Sequence, residues 1–478
     1  MKKEITKKEN IGKLGVFGLA GIVVSSMIGG GIFSLPQNMA ASASVGGVLL
    51  AWLITGFGIW FIANTFRLLA NLKPDLTAGI YMYAREGFGP YMGFNIGWSY
   101  WLCQICGNVG YAVITMDALN YFFPGVFTGG NNFASIVGGS ILIWGFNYLV
   151  LRGVQQATKI NLIATIAKII PLILFCIIMI FVFNVDRFDF DFWGELSRSK
   201  LGDINTQIKN SMLVTLWAFI GIEGAVVLSG RAKSQNDVGK ATVMGFLGCL
   251  AIYILLSVLP FGFMTQARLA GIANPSTAGV LRAVVGPWGA WLMNIGLLIA
   301  VLASWLSWTM ITAQMPQSMA ENGTFPKEFA QENTNGAPCF SLWVTSALMQ
   351  LAMLLVYFSN NAWNTMLSIT GVMVLPAYLF SCLYLWKICE DEQITGVSRW
   401  WARLTGILGS IYAIWLIYAA GLNYMLMAII FIAAGLPIYL WTKKGKGSMC
   451  FADKVLASAL VGVALFAIYA FARGIIKT

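Results

Sequence analysis

The sequence predicts an all-α polytopic membrane protein, and three observations carry that prediction. The chain of 478 residues is 58% hydrophobic and only 10% charged, with a mean hydropathy of +0.75. A soluble chain carries about 25% charged residues, and with so few it could not cover its surface in water. Apolar runs of roughly 20 residues, each long enough for one helical crossing of a bilayer, recur along the whole length. Two of those runs are interrupted by glycine clusters. Composition therefore excludes a soluble enzyme and a secreted disulfide protein. The net charge of +11 does not point to nucleic acid either, because the basic residues sit in short loops between apolar runs.

Counting the runs in order gives thirteen spans, near 14–41, 46–72, 89–122, 131–150 and 158–183, then 210–230, 241–265, 287–317, 338–358 and 363–387, and finally 402–420, 423–442 and 454–475. The first follows the basic segment MKKEITKKEN. No small-residue cleavage site closes a short apolar core there, so the run reads as a retained helix rather than a signal peptide. After Arg403 two spans are separated only by the turn signal of Gly421 and Asn423, and the last span ends near Arg473. The division is a tail over 1–13, five spans over 14–183, an outer loop over 184–209, five more spans over 210–387 and three C-terminal spans over 388–478. With the N-terminus inside, 21 of the 30 basic residues fall on the inner side, including Lys2, Lys3, Lys233 and Lys443. That asymmetry predicts a cytoplasmic N-terminus in a multi-pass protein of the plasma (inner) membrane.

The first break reads Val24-Ser-Ser-Met-Ile-Gly-Gly-Gly-Ile-Phe33, and the second, five spans later, Trp217-Ala-Phe-Ile-Gly-Ile-Glu-Gly-Ala225. Gly29, Gly30 and Gly31 disfavour a continuous helix, as do Gly221 and Gly224 around Glu223. Glycines alone can serve close helix packing. Two breaks at equivalent places in two halves, one with an embedded carboxylate, point instead to a transporter site between inverted repeats. An unwound helix offers N–H groups to a carboxylate and C=O groups to an ammonium. A free amino acid carries both on one carbon and fits such a pair of breaks.

Ionisable groups within spans are functional by default. Glu223 lies in the second break, Lys168 in the middle of the fifth span and Asp117 near the outer, solvent-facing end of the third. With no histidine in the chain, a proton relay would need a carboxylate or a lysine. Aromatic residues gather around the breaks at Tyr100, Trp101, Tyr111, Trp217, Trp305 and Trp308, and a ring face attracts a cationic side chain in a desolvated pocket. Cys103 and Cys106 form a CxxC, yet a zinc site needs more ligands than these two. No metal and no cofactor are expected.

The segments Ser26-Met-Ile-Gly-Gly-Gly-Ile-Phe33, Ala78-Gly-Ile-Tyr-Met-Tyr-Ala-Arg85 and Thr215-Leu-Trp-Ala-Phe-Ile-Gly-Ile-Glu223 resemble the amino acid–polyamine–organocation superfamily, and within it the basic amino acid/polyamine antiporters. The stretch Ser229-Gly-Arg-Ala-Lys-Ser-Gln-Asn-Asp-Val-Gly-Lys-Ala-Thr242 is most similar to the arginine/ornithine and histidine/histamine exchangers. The resemblance covers about residues 10–440. It implies a five-plus-five inverted-repeat fold with broken helices 1 and 6, about 12–13 transmembrane helices, and alternating access. It implies that the backbone from Ser26 through Met27, Ile28, Gly29 and Gly30 to Gly31 holds the α-carboxylate and α-amine, with Ile220 beside them. Trp217 would gate the ligand, Trp308 would stack on its cationic end, and Tyr100, Cys103, Asn108 and Tyr111 would face it. Glu223 would be the coupling carboxylate. Lys168 departs from the arginine/agmatine branch, which is apolar there, and resembles branches with a lysine at the vacant sodium site.

The expected function is exchange of an external cationic or histidine-like amino acid for its internal product, ornithine or the decarboxylated amine, in a lipid bilayer, with a homodimer as the candidate assembly. A proton-coupled amino acid symporter is the alternative. A channel would need repeated carbonyl or charged rings, which the sequence lacks. A membrane enzyme would need a nucleophile–base pair or a metal cluster, and neither is visible.

Overall fold

The computed structural model describes residues 15–76, 79–227, 232–359, 361–391, 394, 396–443 and 449–474, with backbone only over 154–166 and at 225, 227 and 235. Helices occupy every predicted span. The first is α1 (Val16–Met27), a 3₁₀ turn (Gly30–Ser34) and α2 (Leu35–Ser42). The second to fifth spans are α3 (Val45–Leu72), α5 (Pro90–Phe122), α6 (Phe133–Leu151) and α7 (Val154–Phe181), with a short helix α4 (Ile80–Phe88) before α5. The sixth is α8 (Ile204–Ala218) followed by α9 (Gly224–Val227), and the seventh is α10 (Gln235–Val258). Next come a short helix α11 (Ser276–Val285), then α12 (Pro287–Glu321), α13 (Cys339–Val356), α14 (Ala362–Asp391) and α15 (Arg399–Ala420). The twelfth span divides into α16 (Leu422–Ala433) and α17 (Leu436–Lys443), and the thirteenth is α18 (Phe451–Ala472).

Ten of these helical stretches are long and apolar enough to cross a membrane, and the bent pair at the first span, turned through 49°, makes an eleventh. The chain is thus a multi-pass membrane protein. Helices are forced on it because a spanning segment must satisfy its own backbone groups in lipid. Lipid-facing positions stay apolar, as at Phe466 and Ile468 on α18, while Ala457, Ala464 and Ala467 of the same helix are buried, and α18 packs on α16.

Packing partners recur with an offset of five spans. Span 3 packs on span 10 as span 8 packs on span 5, and span 1 packs on span 7 as span 6 packs on span 2. Spans 2 and 7 pack on each other, as do spans 3 and 8. The corners repeat as well. Helix α4 ends at Gly89 (φ 96°) with Pro90 opening α5, and α11 ends at Gly286 (φ 88°) with Pro287 opening α12. Glycine supplies the positive φ and proline occupies the one helical position that needs no N–H. Buried polar pairs then fix helix to helix: Trp52 Nε1 donates to Ser257 Oγ (2.7 Å), Thr55 Oγ1 to Thr215 Oγ1 (2.7 Å) and Asn147 Nδ2 to Ser346 Oγ (2.7 Å).

Candidate functional site

Both breaks exist, and they touch. Helix α1 stops at Met27, and Gly29 leads into the 3₁₀ turn at Gly30. Helix α8 stops at Ala218 and α9 starts at Gly224. Ser26 Oγ donates to the Gly221 carbonyl (2.8 Å), joining one break to the other. Gly221 has φ 106°, and a Cβ there would lie 2.7 Å from the Ser26 carbonyl carbon, so only glycine fits. Helix-end carbonyls and N–H groups without intrahelical partners are thereby concentrated at the crossing point.

A cavity of about 650 Å³, counting its mouth, opens beside this point. The first break contributes Ser26, Met27, Gly29 and Gly31; α5 contributes Cys103, Gln104, Cys106, Gly107, Asn108, Gly110 and Tyr111. Trp217 and Ile220 come from the second break, Trp308 from α12, and Trp363, Met366, Leu367 and Thr370 from α14. Among the described residues, four aromatic side chains and no carboxylate line it. The glycines are held to that size by the rings: a Cβ on Gly31 would collide with the Trp217 indole, and one on Gly29 with the Tyr111 hydroxyl.

Ten of the thirteen positions expected to meet a ligand line this cavity. The other three do not. Ile28 is fully buried, with its carbonyl 3.4 Å from Ser304 Oγ. Gly30 lies against Ile114 and Val301, where a Cβ would approach to 3.0 Å or less. Tyr100 donates its hydroxyl to Glu223 Oε1 at 2.6 Å. Trp101 and Trp305 are also elsewhere: Trp101 packs edge-on to Phe325 and Phe329, and Trp305 to Phe146. Asp117 is half-buried, less open to solvent than its place near the end of the span suggests.

Glu223 and Lys168 flank the cavity without lining it, and both are fully buried. The carboxylate accepts from Tyr100, from Tyr378 (2.7 Å) and from the Gly221 N–H (3.1 Å). Tyr100 precedes the lining residues of α5, Tyr378 follows those of α14, and the two helices are antiparallel. The cluster therefore lies beside the cavity on the side toward the start of α5 and the end of α14. Lys168 Nζ donates to the Ser25 carbonyl (2.8 Å), Ser25 Oγ (3.1 Å) and Ser304 Oγ (3.1 Å). It sits at the C-terminal end of α1, where the helix dipole favours a cation.

Sequence reasoning missed Gln104, Cys106, Gly107, Gly110 and the whole contribution of α14. The residues Trp363, Met366, Leu367 and Thr370 follow i, i+3, i+4, i+7 spacing, which marks one helix face but does not say what the face meets. The residues of Ser229–Arg231 lie outside the described residues.

Residues 14–442 match the model of the amino acid permease family. The arginine/agmatine antiporter of Chlamydia abortus (strain DSM 27085 / S26/3) is 61% identical to this chain over 464 residues, 96% of each protein. That of Chlamydia pneumoniae is 60% identical over 474 residues, 97% of this chain and 98% of the other. That of Chlamydia trachomatis serovar D (strain ATCC VR-885 / DSM 19411 / UW-3/Cx) is 59% identical over 438 residues, 91% of each. The relatives thus bear the arginine/agmatine name, not the ornithine or histidine names suggested by the motif at 229–242.

Proposed function

The chain belongs to the amino acid permease family, and from that premise we propose that it exchanges external arginine for internal agmatine by alternating access. It is a transporter of the antiporter type and not an enzyme. The substrate pair rests on one observation, the 59–61% identity to arginine/agmatine antiporters along nearly the full length of both chains. The cavity suits that pair. Arginine and agmatine share a guanidinium, and a wall with four aromatic side chains and, among the described residues, no carboxylate would hold such a cation by cation–π attraction without a fixed countercharge. The α-carboxylate that only arginine carries would meet the broken first helix. We assign Trp308 to the cationic end, Trp217 to the gate, and Glu223 and Lys168 to coupling. The two halves over 14–183 and 210–387 would rock about the breaks, with the N-terminus cytoplasmic.

Counterflow in proteoliposomes tests this. Vesicles are loaded with agmatine, ornithine, histamine or nothing, and entry of labelled arginine and histidine is followed. Arginine uptake that requires internal agmatine is the expected result. Uptake that follows ornithine or histamine instead would replace the pair, and equal uptake into empty vesicles driven by a pH gradient would replace exchange with proton symport.

A further inference from the structure

The loop over 184–203, between the fifth and sixth spans, does not have the surface of a loop in water. Phe190, Trp193 and Leu196 are 68%, 52% and 72% exposed, and Val185 is exposed beside them. Apolar residues scattered singly over a surface are ordinary, but several so close together mark a face that something covers. The backbone fixes where this face lies. The Asn184 N–H donates to the Gly262 carbonyl, past the end of α10 (2.9 Å), and Arg187 Nη1 to the Phe263 carbonyl (2.6 Å). The Gly46 N–H, at the start of α3, donates to the Phe192 carbonyl (2.7 Å), and a Cβ on Gly46 would collide with the Trp193 indole. The loop thus runs along the ends of spans 5, 7 and 2. Each of these spans exposes apolar residues toward that end, Ile177 and Ile180 on α7, Leu255 on α10 and Leu53 on α3. The loop therefore continues a lipid-facing surface at the depth where the spans finish, which is the level of the phospholipid headgroups.

A crevice of about 710 Å³, counting its open side, lies against this face and is lined by Asp186, Arg187, Phe190, Met264, Thr265 and Arg268. Arg268 stands on a short helix (Gln266–Ala270) that follows the seventh span. Two arginines in one crevice suit a phosphate, which their planar forks can address with parallel N–H bonds. A carboxylate beside them suits an ammonium and disfavours a headgroup that is only anionic. We propose that this crevice binds the headgroup of a zwitterionic aminophospholipid, its phosphate on Arg187 and Arg268 and its amine at Asp186. Phe190, Trp193 and Leu196 then lie at the boundary between headgroups and acyl chains, as the apolar face of an interfacial segment does. None of these residues lines the transport cavity, so the inference is independent of the substrate pair.

The test is photolabelling of the full-length protein in vesicles that contain a trace of phosphatidylethanolamine with a diazirine near the glycerol end of one acyl chain. Labelled peptides are mapped, and the lipid-facing side of α18 at Phe466 and Ile468 serves as the internal standard. Labels are expected on the loop near Phe190 and Leu196 and on the segment around Met264. Arg187→Gln with Arg268→Gln should lower that labelling about tenfold relative to α18, the loss of hydrogen bonds to a charged group, and should leave arginine uptake as in wild type. Arg268→Gln alone leaves the Arg187–Phe263 bond in place and should act in the same direction, which covers the case in which the double variant does not fold. A phosphatidylglycerol probe of the same design should label the loop less than the phosphatidylethanolamine probe. Labelling confined to α18 would put the loop in water and overturn the proposal, and so would cysteine cross-links at Leu196→Cys between two copies, which would make the patch a contact between proteins. Loop labelling that ignores the arginines, that both probes share equally, or that inorganic phosphate abolishes would overturn it as well.

Discussion

Two charges lie buried within the spans beside the same cavity, and they are held in opposite ways. The Glu223 carboxylate is surrounded by donors, two tyrosine hydroxyls and a backbone N–H, that belong to α5, α14 and its own break. The Lys168 ammonium is surrounded by acceptors, a helix-end carbonyl and two serine hydroxyls, from α1 and α12. Neither uses the other as counter-ion. An ion pair would hold two helices in one fixed relation, and its desolvation is costly. Dipolar partners are spread over several helices instead, so each charge ties one break to the helices around it. Glu223 ties the second break to the third and tenth spans, and Lys168 ties the end of α1 to the fifth and eighth spans.

The comparison breaks most visibly at the charges themselves. Lys168→Ala should reduce exchange at least tenfold, because it strips the C-terminal end of α1 of its cation and leaves Ser25 and Ser304 without their shared donor. Glu223→Gln keeps an acceptor for one tyrosine but offers a donor to the other. It should destabilise the protein by about 1.5–3 kcal/mol, the scale of a hydrogen bond to a charged group, read as a lowered thermal midpoint. Should both variants exchange arginine for agmatine at the wild-type rate, the two clusters are scaffolding alone. A sharper contrast sets these flanking charges against the cavity wall. Trp308→Leu should weaken arginine binding roughly 10–30-fold with little change in the midpoint, since a desolvated cation–π contact is worth about 2 kcal/mol. Retained affinity in that variant would move the cation to Trp217 or Trp363.

The smallest effect is expected outside the membrane. Asp203 caps α8, and the Thr206 hydroxyl and N–H hold its carboxyl below the ordinary aspartate value. A group with a depressed folded-state value contributes stability above the ordinary value and loses it as pH falls through the lowered one. Asp203→Ala should therefore lower the midpoint slightly at neutral pH, with the gap to wild type closing in acid, and leave arginine affinity unchanged. A change in affinity would mean that the α8 cap reaches the second break.

How much of this was legible in the sequence follows from which signals survive in lipid. Each of the thirteen apolar runs holds helix, and among the described residues ten stretches, or eleven with the bent pair, are long and apolar enough to cross a bilayer, because length and hydropathy are what a span requires. The breaks were legible because glycine clusters and a lone carboxylate are rare inside apolar runs. The rotation of each unbroken helix was not. Helix α14 mixes apolar and small polar residues around its circumference, so the spacing of Trp363, Met366, Leu367 and Thr370 marks a face without showing that it meets the cavity and not another helix. For the same reason Trp305 and Trp308, three residues apart, were expected together around the breaks. The structure packs Trp305 on Phe146 and gives only Trp308 to the cavity. Gln104 was passed over because a glutamine in a span reads as tolerable polarity.

The Gly–Pro corners at Gly89-Pro90 and Gly286-Pro287 stand at opposite faces of the membrane. With the partner swap between spans 3·10 and 8·5, they make the molecule resemble itself when turned upside down. On the exchange reading proposed above, such a body would offer the same bend and corner to each side of the bilayer in turn, so that the route inward and the route outward would be built from matching parts.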